Sequence, residues 1–515
     1  MLFKHLKSIL FALFFVNSSL TFSSTFYVSP NGNGNGTISS PLSFSSAIAK
    51  TLVAGDSLIL RGGIYNFSAK QTISMSGNAN YLIHIVAYNS EIPVFDFRTQ
   101  AYGTAGVSLS GNYVHFKGIT IQGAGDNGLY VTGNNNLIEK CLFRWNCDSG
   151  LQMKTGSNNL ILNCDAYENF DYKTGGTANP DFGGNADGFA DKQYTNTGTN
   201  VYRGCRSWMN SDDGWDHYQK IGNSVCDSCF CYANGPASFD MTDHIRFKTD
   251  SATWFYQFKN TSGRYIIKNY GNGNGFKLGG DYTAHNAVLR NCVSVLNSVK
   301  GFDQNNNSGN MTLYNCSGYM NNPDYGFSNS SYGTLIIKNS VTLSSKSANK
   351  FLSKSVSQTF NSWNAGFSCL AGYFISLDYQ QLLNNRDVDG SLSEISFLHQ
   401  LSTSGMIDKG TNLGFPYNGL APDLGAFEFN LYSAISNNEF KNGVSVNYSG
   451  SKKEICLQGE MLSVHIYNIR GQKVFSNKVS TNEISISTSN WDKGVFFIVV
   501  NSSKEIYTSN KILIQ

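Results

Sequence analysis

The sequence predicts an all-β protein made of a parallel β-helix followed by a small β-sandwich. Gly accounts for 51 of the 515 residues and Pro for only 8, as in turn-rich β proteins. Segments between about residues 105 and 345 recur every 22 to 26 residues, which is the period of a solenoid with several short strands per coil. The segment from about residue 443 to residue 515 alternates apolar and polar side chains, as antiparallel sandwich strands do.

The composition excludes several classes of protein. The net charge of +3 is close to neutral, so nucleic acid is not an expected partner, although a local cationic site for an acidic substrate stays open. Aromatic residues make up 13% of the chain, too many for a disordered protein. The 11 cysteines are an odd number in a chain that is large enough to form its own core, which argues against a disulfide framework.

The N-terminus has the pattern of a secretory signal peptide over residues 1–24. Lys4 and Lys7 precede the apolar run Ile9–Val16, and small or polar residues follow up to Ser24. The run is too short to span a bilayer. We therefore expect a protein that is secreted or displayed at the cell surface, where calcium is available.

The remaining chain divides into a β-helix over residues 25–432, a polar linker over 433–442 and the sandwich over 443–515. A short amphipathic helix within Ser43–Leu52 suits the cap that an exposed first coil needs. Repetition fades after about residue 345, and Met406–Gly410 and Ala421–Glu428 are expected to be the closing strands. We expect a monomer.

Six cysteines recur at one position of the repeat. Cys141 and Cys164 are 23 residues apart, and Cys205 and Cys229 are 24 apart. A small hydrophobic residue that stacks on its equivalents in neighbouring coils explains this spacing. The asparagines that precede several of them, such as Asn291, are expected to form a ladder of side chains. The six are Cys141, Cys164, Cys205, Cys229, Cys292 and Cys316.

A second recurring pattern is a glycine, an aromatic residue and a variable third residue. The glycine opens a strand and the aromatic residue packs inward, so the third residue points outward. Asp216 and Lys277 are thus predicted to lie on one outer face, with about 4.8 Å between neighbouring coils. The repeats are Gly188-Phe189-Ala190, Gly214-Trp215-Asp216, Gly275-Phe276-Lys277, Gly301-Phe302-Asp303 and, as an expected continuation, Gly326-Phe327.

Four carboxylates are predicted to converge within two coils at this face. Asp187 precedes the strand on one coil, Asp212 and Asp213 precede it on the next, and Asp216 follows. Like charges this close repel each other unless a cation neutralises them. Oxygen ligands without His or thiolate favour Ca²⁺ over a transition metal. The alternative is that these aspartates only form turns.

Lys277 is the candidate general base. It stands between Phe276 and the pair Gly279-Gly280, and the lack of bulk suggests that another group approaches the backbone closely. A lysine beside a bound cation has a lowered pKa. Its neutral amine would take a proton from C5 of an acidic sugar, and the O4 leaving group would depart by β-elimination.

The segment over residues 235–270 interrupts the repeat. By the earlier spacing the next Gly-aromatic strand should begin near residue 238, but it comes after Gly271. The interruption contains cations, including Arg246 and Lys248, and several aromatic residues. It is expected to be either a wall over a groove for acidic sugars, with Arg246 and Lys248 as candidates for substrate contact, or an extra coil with core aromatic residues.

The motifs NADGFA, NSDDGWD, GNGFKLGG and GFDQNNN resemble those of family 9 polysaccharide lyases, which are right-handed parallel β-helix enzymes that include pectate lyases. The resemblance implies Ca²⁺ bound by Asp187, Asp212, Asp213 and Asp216, with Lys277 as the base. Lys192 and Asn305 are weaker candidates for substrate contact.

The C-terminal segment resembles the sorting domain of the type IX secretion system of Bacteroidetes. The resemblance rests on Ile466–Val474, Trp491–Phe496 and Lys511–Leu513, and it implies that the export machinery is a partner. A carbohydrate-binding or Ig-like module is the alternative.

The preferred function is a Ca²⁺-dependent pectate lyase acting on an acidic polysaccharide. A lyase for rhamnogalacturonan or another uronate polymer is the nearest alternative, because the same cation and base serve any polyuronide. A β-helical glycoside hydrolase could use Asp212 and Asp213 as paired acids, but it would not need Lys277. A non-catalytic adhesin would need neither the lysine nor the carboxylates.

Overall fold

The computed structural model describes residues 23–173, 182–195, 197–242, 244–246, 258–259, 262–429, 445–449, 453–459, 461–468, 472–491, 494–501 and 506–514. Nearly all of the predicted signal peptide, the predicted linker and Lys248 lie outside the described residues.

Three long parallel sheets form a β-helix in the part of the chain that the structure describes, and the coils between the two ends pass through sheets 1, 2 and 3 in turn. Sheet 1 contains Thr25–Val28, Ser57–Leu60, Ile83–Ala87, Val114–Lys117, Leu137–Glu139, Leu160–Leu162, Thr199–Arg203, Gly222–Asp227, His285–Arg290, Asn310–Tyr314, Thr334–Lys338 and Ser355–Thr359. Sheet 2 contains Gly63–Asn66, Pro93–Asp96, Thr120–Gln122, Leu142–Arg144, Asp165–Tyr167, Arg206–Trp208, Phe230–Tyr232, Val293–Val295, Ser317–Tyr319 and Val341–Leu343. Sheet 3 contains Gln71–Ile73, Val107–Leu109, Leu129–Val131, Leu151–Met153, Phe189–Asp191, Trp215–Asp216, Phe276–Lys277, Phe302–Asp303, Tyr325–Ser328 and Lys350–Leu352.

The aromatic residues of the recurring pattern stack inside sheet 3. Ring centroids lie 4.9 Å apart between Phe189 and Trp215, 4.7 Å between Trp215 and Phe276, and 5.4 Å between Phe276 and Phe302. The predicted continuation at Phe327 is wrong by two residues, because Tyr325 is the residue that pairs with Phe302. Tyr325 extends the stack at 5.0 Å, and Phe327 points inward two residues later by the alternation of the strand.

The cysteine prediction is confirmed, whereas the asparagine ladder lies elsewhere. All 11 cysteines, which fall within the described residues, are free, and the six repeat cysteines are buried. Three asparagines that precede repeat cysteines adopt the left-handed backbone conformation in the turn from sheet 1 to sheet 2. Their φ values are 55° for Asn163, 53° for Asn291 and 52° for Asn315. The side-chain ladder lies in the turn from sheet 2 to sheet 3. Its members are Asn146, Asn169, Asn210, Asn234, Asn297 and Asn321.

The two ends of the β-helix are covered differently. The predicted N-terminal helix is present as Phe44–Ile48, and the ring of Phe44 packs 4.6 Å from that of Phe95. The predicted closing strands at 406–410 and 421–428 are wrong. Met406 and Leu424 instead join the apolar cluster of sheet 2, so this segment is held by side-chain burial rather than by strand pairing. The 3₁₀ helices Ala371–Tyr373 and Tyr379–Leu383 belong to the same covering segment.

The interruption after sheet 2 is not an extra coil, because Trp215 pairs directly with Phe276. Its described strands instead form a small antiparallel sheet. Phe239 and Ile267 from this sheet are buried against Phe170 of the preceding long turn. The small sheet is made of Ser238–Asp240, Phe258–Lys259 and Tyr265–Lys268.

The C-terminal segment forms two antiparallel sheets, as predicted, with a core that includes Val464, Ile466 and Ile498. One sheet contains Ser445–Ser449, Glu454–Gln458 and Glu483–Ser487, and the other contains Ser463–Asn468, Lys473–Lys478, Gly494–Asn501 and Ile506–Ile514. Among the described residues, no helix is both long and apolar enough to cross a bilayer.

Replacing Asn297 by Ala should lower the free energy of unfolding by at least about 2 kcal/mol, because it leaves buried donors and acceptors of the asparagine ladder without partners. The carboxamide oxygen of Asn297 accepts from the backbone and side chain of Asn234 at 3.0 Å each. The matched control is Asn286→Ala in an exposed asparagine ladder with Asn223 and Asn310, which should cost about 0.5 kcal/mol or less. Denaturant unfolding measures both, and equal losses would contradict the role of burial.

Candidate active site

Sheet 3 places Asp216 and Lys277 next to each other on its outer face. The two residues pair in register, with Ala190 before them and Asp303 after them. This confirms the predicted alternation, since the neighbouring aromatic residues all point into the core. The Asp216 side chain is 2% exposed and that of Lys277 is 13% exposed, so both lie within a recess rather than on an open surface.

Three of the four predicted carboxylates converge beside Lys277. Asp187, Asp213 and Asp216 each offer an oxygen within 4.8 Å of the others, and all three are buried. Backbone and side-chain donors hold them in place. Asp187 accepts from the backbone N–H of Asp213 at 3.1 Å, and Asp213 accepts from the backbone and side chain of Asn274 at 2.9 and 2.8 Å.

Asp212 lies at the margin of this group. One of its oxygens accepts from the backbone N–H of Asn272 at 2.6 Å, and the side chain does not belong to the converging set. Burial, followed by the charges of Asp213 and Asp187, raises the pKa of Asp212 well above its ordinary value. Asp212 is therefore electrostatically linked to the three carboxylates without sharing their position.

Two lysines neutralise the three carboxylates. Lys277 Nζ lies 2.9 Å from an oxygen of Asp213 and 3.2 Å from one of Asp216. Lys192 Nζ lies 3.1 Å from an oxygen of Asp187 and 2.9 Å from the second oxygen of Asp216. Lys192, which the sequence suggested only as a substrate contact, is thus part of the charged cluster.

The charges of the cluster shift its pKa values in opposite directions. For Asp216, burial favours the protonated form, but both lysines outweigh it and lower the pKa to about 2. For Asp187, burial and the neighbouring carboxylates outweigh Lys192 and raise the pKa to about 7. Burial likewise raises the pKa of Asp213, to about 6. Repulsion between the carboxylates adds to burial in both cases, and a divalent cation would relieve that repulsion.

Gly279 and Gly280, which follow Lys277 after one leucine, leave space for side chains from adjacent turns. A Cβ on Gly280 would lie 2.3 Å from the ring of Tyr218, and one on Gly279 would lie 2.5 Å from Cβ of Asn307. The close approach that the sequence indicated is therefore present, and it comes from the adjacent turns. Tyr218 was missed by sequence reasoning, although it follows the aspartate-rich motif directly.

His217 was also missed, and it holds the backbone of Lys277. Its backbone N–H donates to the carbonyl oxygen of Lys277 at 3.1 Å, and its Nδ1 lies 3.0 Å from the same oxygen. The imidazole is fully buried and stacks on His285 with 4.7 Å between ring centroids. Burial lowers the pKa of His217, so the ring serves as a neutral donor to the lysine peptide.

The remaining predicted contacts have structural roles or lie outside the described residues. Asn305 donates its side-chain N–H to the carbonyl oxygen of Gly279 at 2.9 Å, which supports the loop after Lys277. The expectation that Arg246 meets substrate is wrong, because its side chain is 1% exposed and donates to the Tyr172 hydroxyl and to backbone carbonyl oxygens such as that of Gly123. Lys248 is outside the described residues.

The metal-free protein should lose stability as pH rises from about 4 to 7. The raised pKa values of Asp187 and Asp213 mean that the folded chain binds more protons than the unfolded chain in that window, where an unfolded Asp has a pKa of about 3.9. In the Asp187→Asn variant, the free energy of unfolding should fall less steeply with pH. Denaturant unfolding in a chelator, at pH values across the window, measures both proteins, and an unchanged slope in the variant would contradict the assignment.

Comparison with known proteins places the β-helix in an established family. Residues 26–340 match the family model described as Pel9A-like, right-handed β-helix region. A pectate lyase L of Dickeya chrysanthemi is 36% identical over 434 residues, which are 81% of this chain and 93% of that protein. The family model and this relative favour a lyase over the hydrolase and adhesin alternatives.

A solved structure agrees with this assignment, and a second one shares the fold. The crystal structure of pectate lyase Pel9A matches with 32% identity and a TM-score of 0.66, over 80% of this chain and 98% of that one. A rhamnogalacturonan lyase matches with 22% identity and a TM-score of 0.59, over 74% and 97% of the two chains, which supports the fold alone.

The C-terminal residues 440–515 match the family model of a secretion system C-terminal sorting domain. This agrees with the predicted type IX sorting domain and implies secretion by that route. The chain therefore belongs to the Pel9A-like family of right-handed β-helix polysaccharide lyases and carries a C-terminal sorting domain.

Proposed function

We propose that the protein is a Ca²⁺-dependent pectate lyase that cleaves polygalacturonate by β-elimination, with Lys277 as the general base. The observation that carries this proposal is the position of Lys277 Nζ, 2.9 and 3.2 Å from Asp213 and Asp216 at the edge of three converging carboxylates. The pectate lyases among its relatives support polygalacturonate as the substrate.

The donor set fits calcium. Asp187, Asp213 and Asp216 offer hard oxygen ligands, and no His or Cys among the described residues joins the converging group, which favours Ca²⁺. The family resemblance adds Asp212 as the fourth ligand. When bound there, Ca²⁺ would act as a Lewis acid on the uronate carboxylate and so acidify the hydrogen at C5.

Lys277 would accept that proton as a neutral amine. Its burial disfavours the charged form, but the attraction of Asp213 and the other carboxylates keeps its pKa well above the ordinary value in the metal-free protein. Neutralising those carboxylates removes the attraction and leaves burial, which favours the neutral amine. As Lys277 takes the C5 proton, the C5 electron pair forms the C4–C5 double bond, and the glycosidic oxygen leaves C4 with the bonding pair and takes a proton from solvent.

Lys192 and His217 would support this step from two sides. The Lys192 side chain is 22% exposed and contacts Asp187 and Asp216, so its ammonium group becomes available to a uronate carboxylate when a cation takes over those oxygens. Asn305 would contribute by holding Gly279. His217 fixes the peptide of Lys277 by two hydrogen bonds, which limits the movement of the base.

A lyase for rhamnogalacturonan or another polyuronide would use the same cation and base. The sorting domain would bring either enzyme to the type IX machinery after a signal peptide at residues 1–24 has directed it out of the cytoplasm. The acting species would be a monomer outside the cell or on its surface.

Lys277→Ala should reduce the rate of cleavage by about 10²- to 10⁴-fold, because it removes the general base. The assay follows the ultraviolet absorbance of the 4,5-unsaturated product from polygalacturonate and from rhamnogalacturonan I, with and without a chelator. Lys300→Ala is the matched control, since Lys300 pairs with Asp303 one coil further on, and it should retain activity. Full activity in Lys277→Ala would overturn the assigned base, and no product from either polymer would overturn the lyase proposal.

Calcium should stabilise the protein through the three carboxylates. At a concentration 100 times Kd, one bound ion adds about 2.7 kcal/mol to the free energy of unfolding. Asp216→Asn should lose most of the rise in Tm, whereas Asp303→Asn, at the next outward position after Lys277, should keep it. Thermal unfolding at increasing CaCl₂ measures the effect, and an equal rise in both variants would contradict the ligand assignment.

A further inference from the structure

We propose that exposed tyrosines along one edge of sheet 3 bind sugar rings of the acidic polymer on both sides of Lys277. The proposal rests on the proposed function. These residues, the tyrosine row, are Tyr194, Tyr218, Tyr282 and Tyr332.

The tyrosine row follows from the coil geometry. Each tyrosine lies in the loop that leaves a strand of sheet 3 and enters sheet 1. The four loops belong to the coils that contain Phe189, Trp215, Phe276 and Tyr325, with one coil between the last two. Since these coils stack about 4.8 Å apart, the tyrosines lie along one edge of the sheet that carries the base.

All four rings are open to solvent. Tyr194 is 46% exposed, Tyr218 40%, Tyr282 53% and Tyr332 41%. Single exposed aromatic residues are ordinary on protein surfaces, but a series beside a catalytic recess is typical of a binding surface. The row therefore extends the recess in both directions along the β-helix.

Tyr218 is held in a fixed position beside the base. Its backbone N–H donates to an oxygen of Asp216 at 2.9 Å, and its ring lies against Gly280, where a Cβ would come within 2.3 Å. Lys277 Nζ is 5.6 Å from the ring centroid. A sugar ring that presents its C5 hydrogen to Lys277 would thus meet an aromatic ring that is already oriented.

The other tyrosines of the row offer aromatic rings, one of them paired with a lysine, at greater distances from Lys277 along the β-helix. On the N-terminal side, Lys154 Nζ lies 4.6 Å from the ring centroid of Tyr194, which again pairs a cation with an aromatic ring. On the C-terminal side, the rings of Tyr282 and Tyr332 lie 5.0 Å apart at 59° and form a common aromatic surface.

A linear uronate polymer matches this surface. Each uronate residue has a carboxylate that a lysine can neutralise and C–H groups that can pack on an aromatic ring. The lysine–tyrosine pairs offer both, and they recur along the axis of the β-helix. The polymer would therefore run along sheet 3, with tyrosines under sugars on either side of the cleaved bond.

The first test measures KM and kcat on polygalacturonate for Tyr194→Ala and for the double variant Tyr282→Ala/Tyr332→Ala. Both should raise KM about 10-fold, by more than any fall in kcat, because they remove binding that the ground and transition states share. The matched control is Tyr417→Ala. Tyr417 is 37% exposed and follows Phe415, which packs on Arg290 and Tyr314 of sheet 1.

The second test measures binding directly, in affinity gels that contain polygalacturonate and calcium, with Lys277→Ala as the parent protein. Adding the row substitutions should reduce the retardation of the parent, and adding Tyr417→Ala should leave it unchanged. The proposed binding role of the tyrosine row is wrong if the wild-type enzyme is active and the substitutions in the row change neither the KM of the wild-type enzyme nor the gel retardation of the Lys277→Ala parent. If the wild-type enzyme forms no unsaturated product, the proposed function fails instead.

Discussion

The stacking of aromatic rings inside sheet 3 is the interaction on which the site depends. Phe189, Trp215, Phe276 and Phe302 pack ring on ring along the core, and this fixes the register of the strands that carry them. A slip of one residue would turn Asp216 and Lys277 into the core. The apolar stack therefore determines which polar side chains meet outside.

The charged cluster is a compromise between burial and attraction. Three carboxylates in one recess destabilise each other, and Lys192 and Lys277 offset that repulsion. The same carboxylates outweigh burial and raise the pKa of Lys277 well above its ordinary value, so this lysine stays charged in the metal-free protein. A divalent ion at these oxygens would replace the lysines as counter-charge, which would couple metal binding to the loss of the proton from Lys277, the proposed base.

The β-helix and the grouping of most candidate-site side chains could be predicted from the sequence because both depend on periodicity. The spacing of Cys141 and Cys164 and the Gly-aromatic pattern report stacking directly, so Asp216 and Lys277 could be placed on one face. Sequence reasoning failed where no repeat operates. Arg246 contacts carbonyl oxygens that are distant in sequence, and Met406 is held by burial in an irregular segment, so neither contact leaves a local pattern.

Four consecutive residues, two at the end of a strand and two in the turn that follows, serve four purposes. Trp215 points inward to the stack, Asp216 points outward to the lysines, His217 turns inward to hold the Lys277 peptide, and Tyr218 lies outside beside the lysine. Sequence reasoning stopped at Asp216, where the recurring pattern ends. His217 and Tyr218 lie in the turn after that strand, where no repeat operates, so their contacts with Lys277 leave no periodic signal in the sequence.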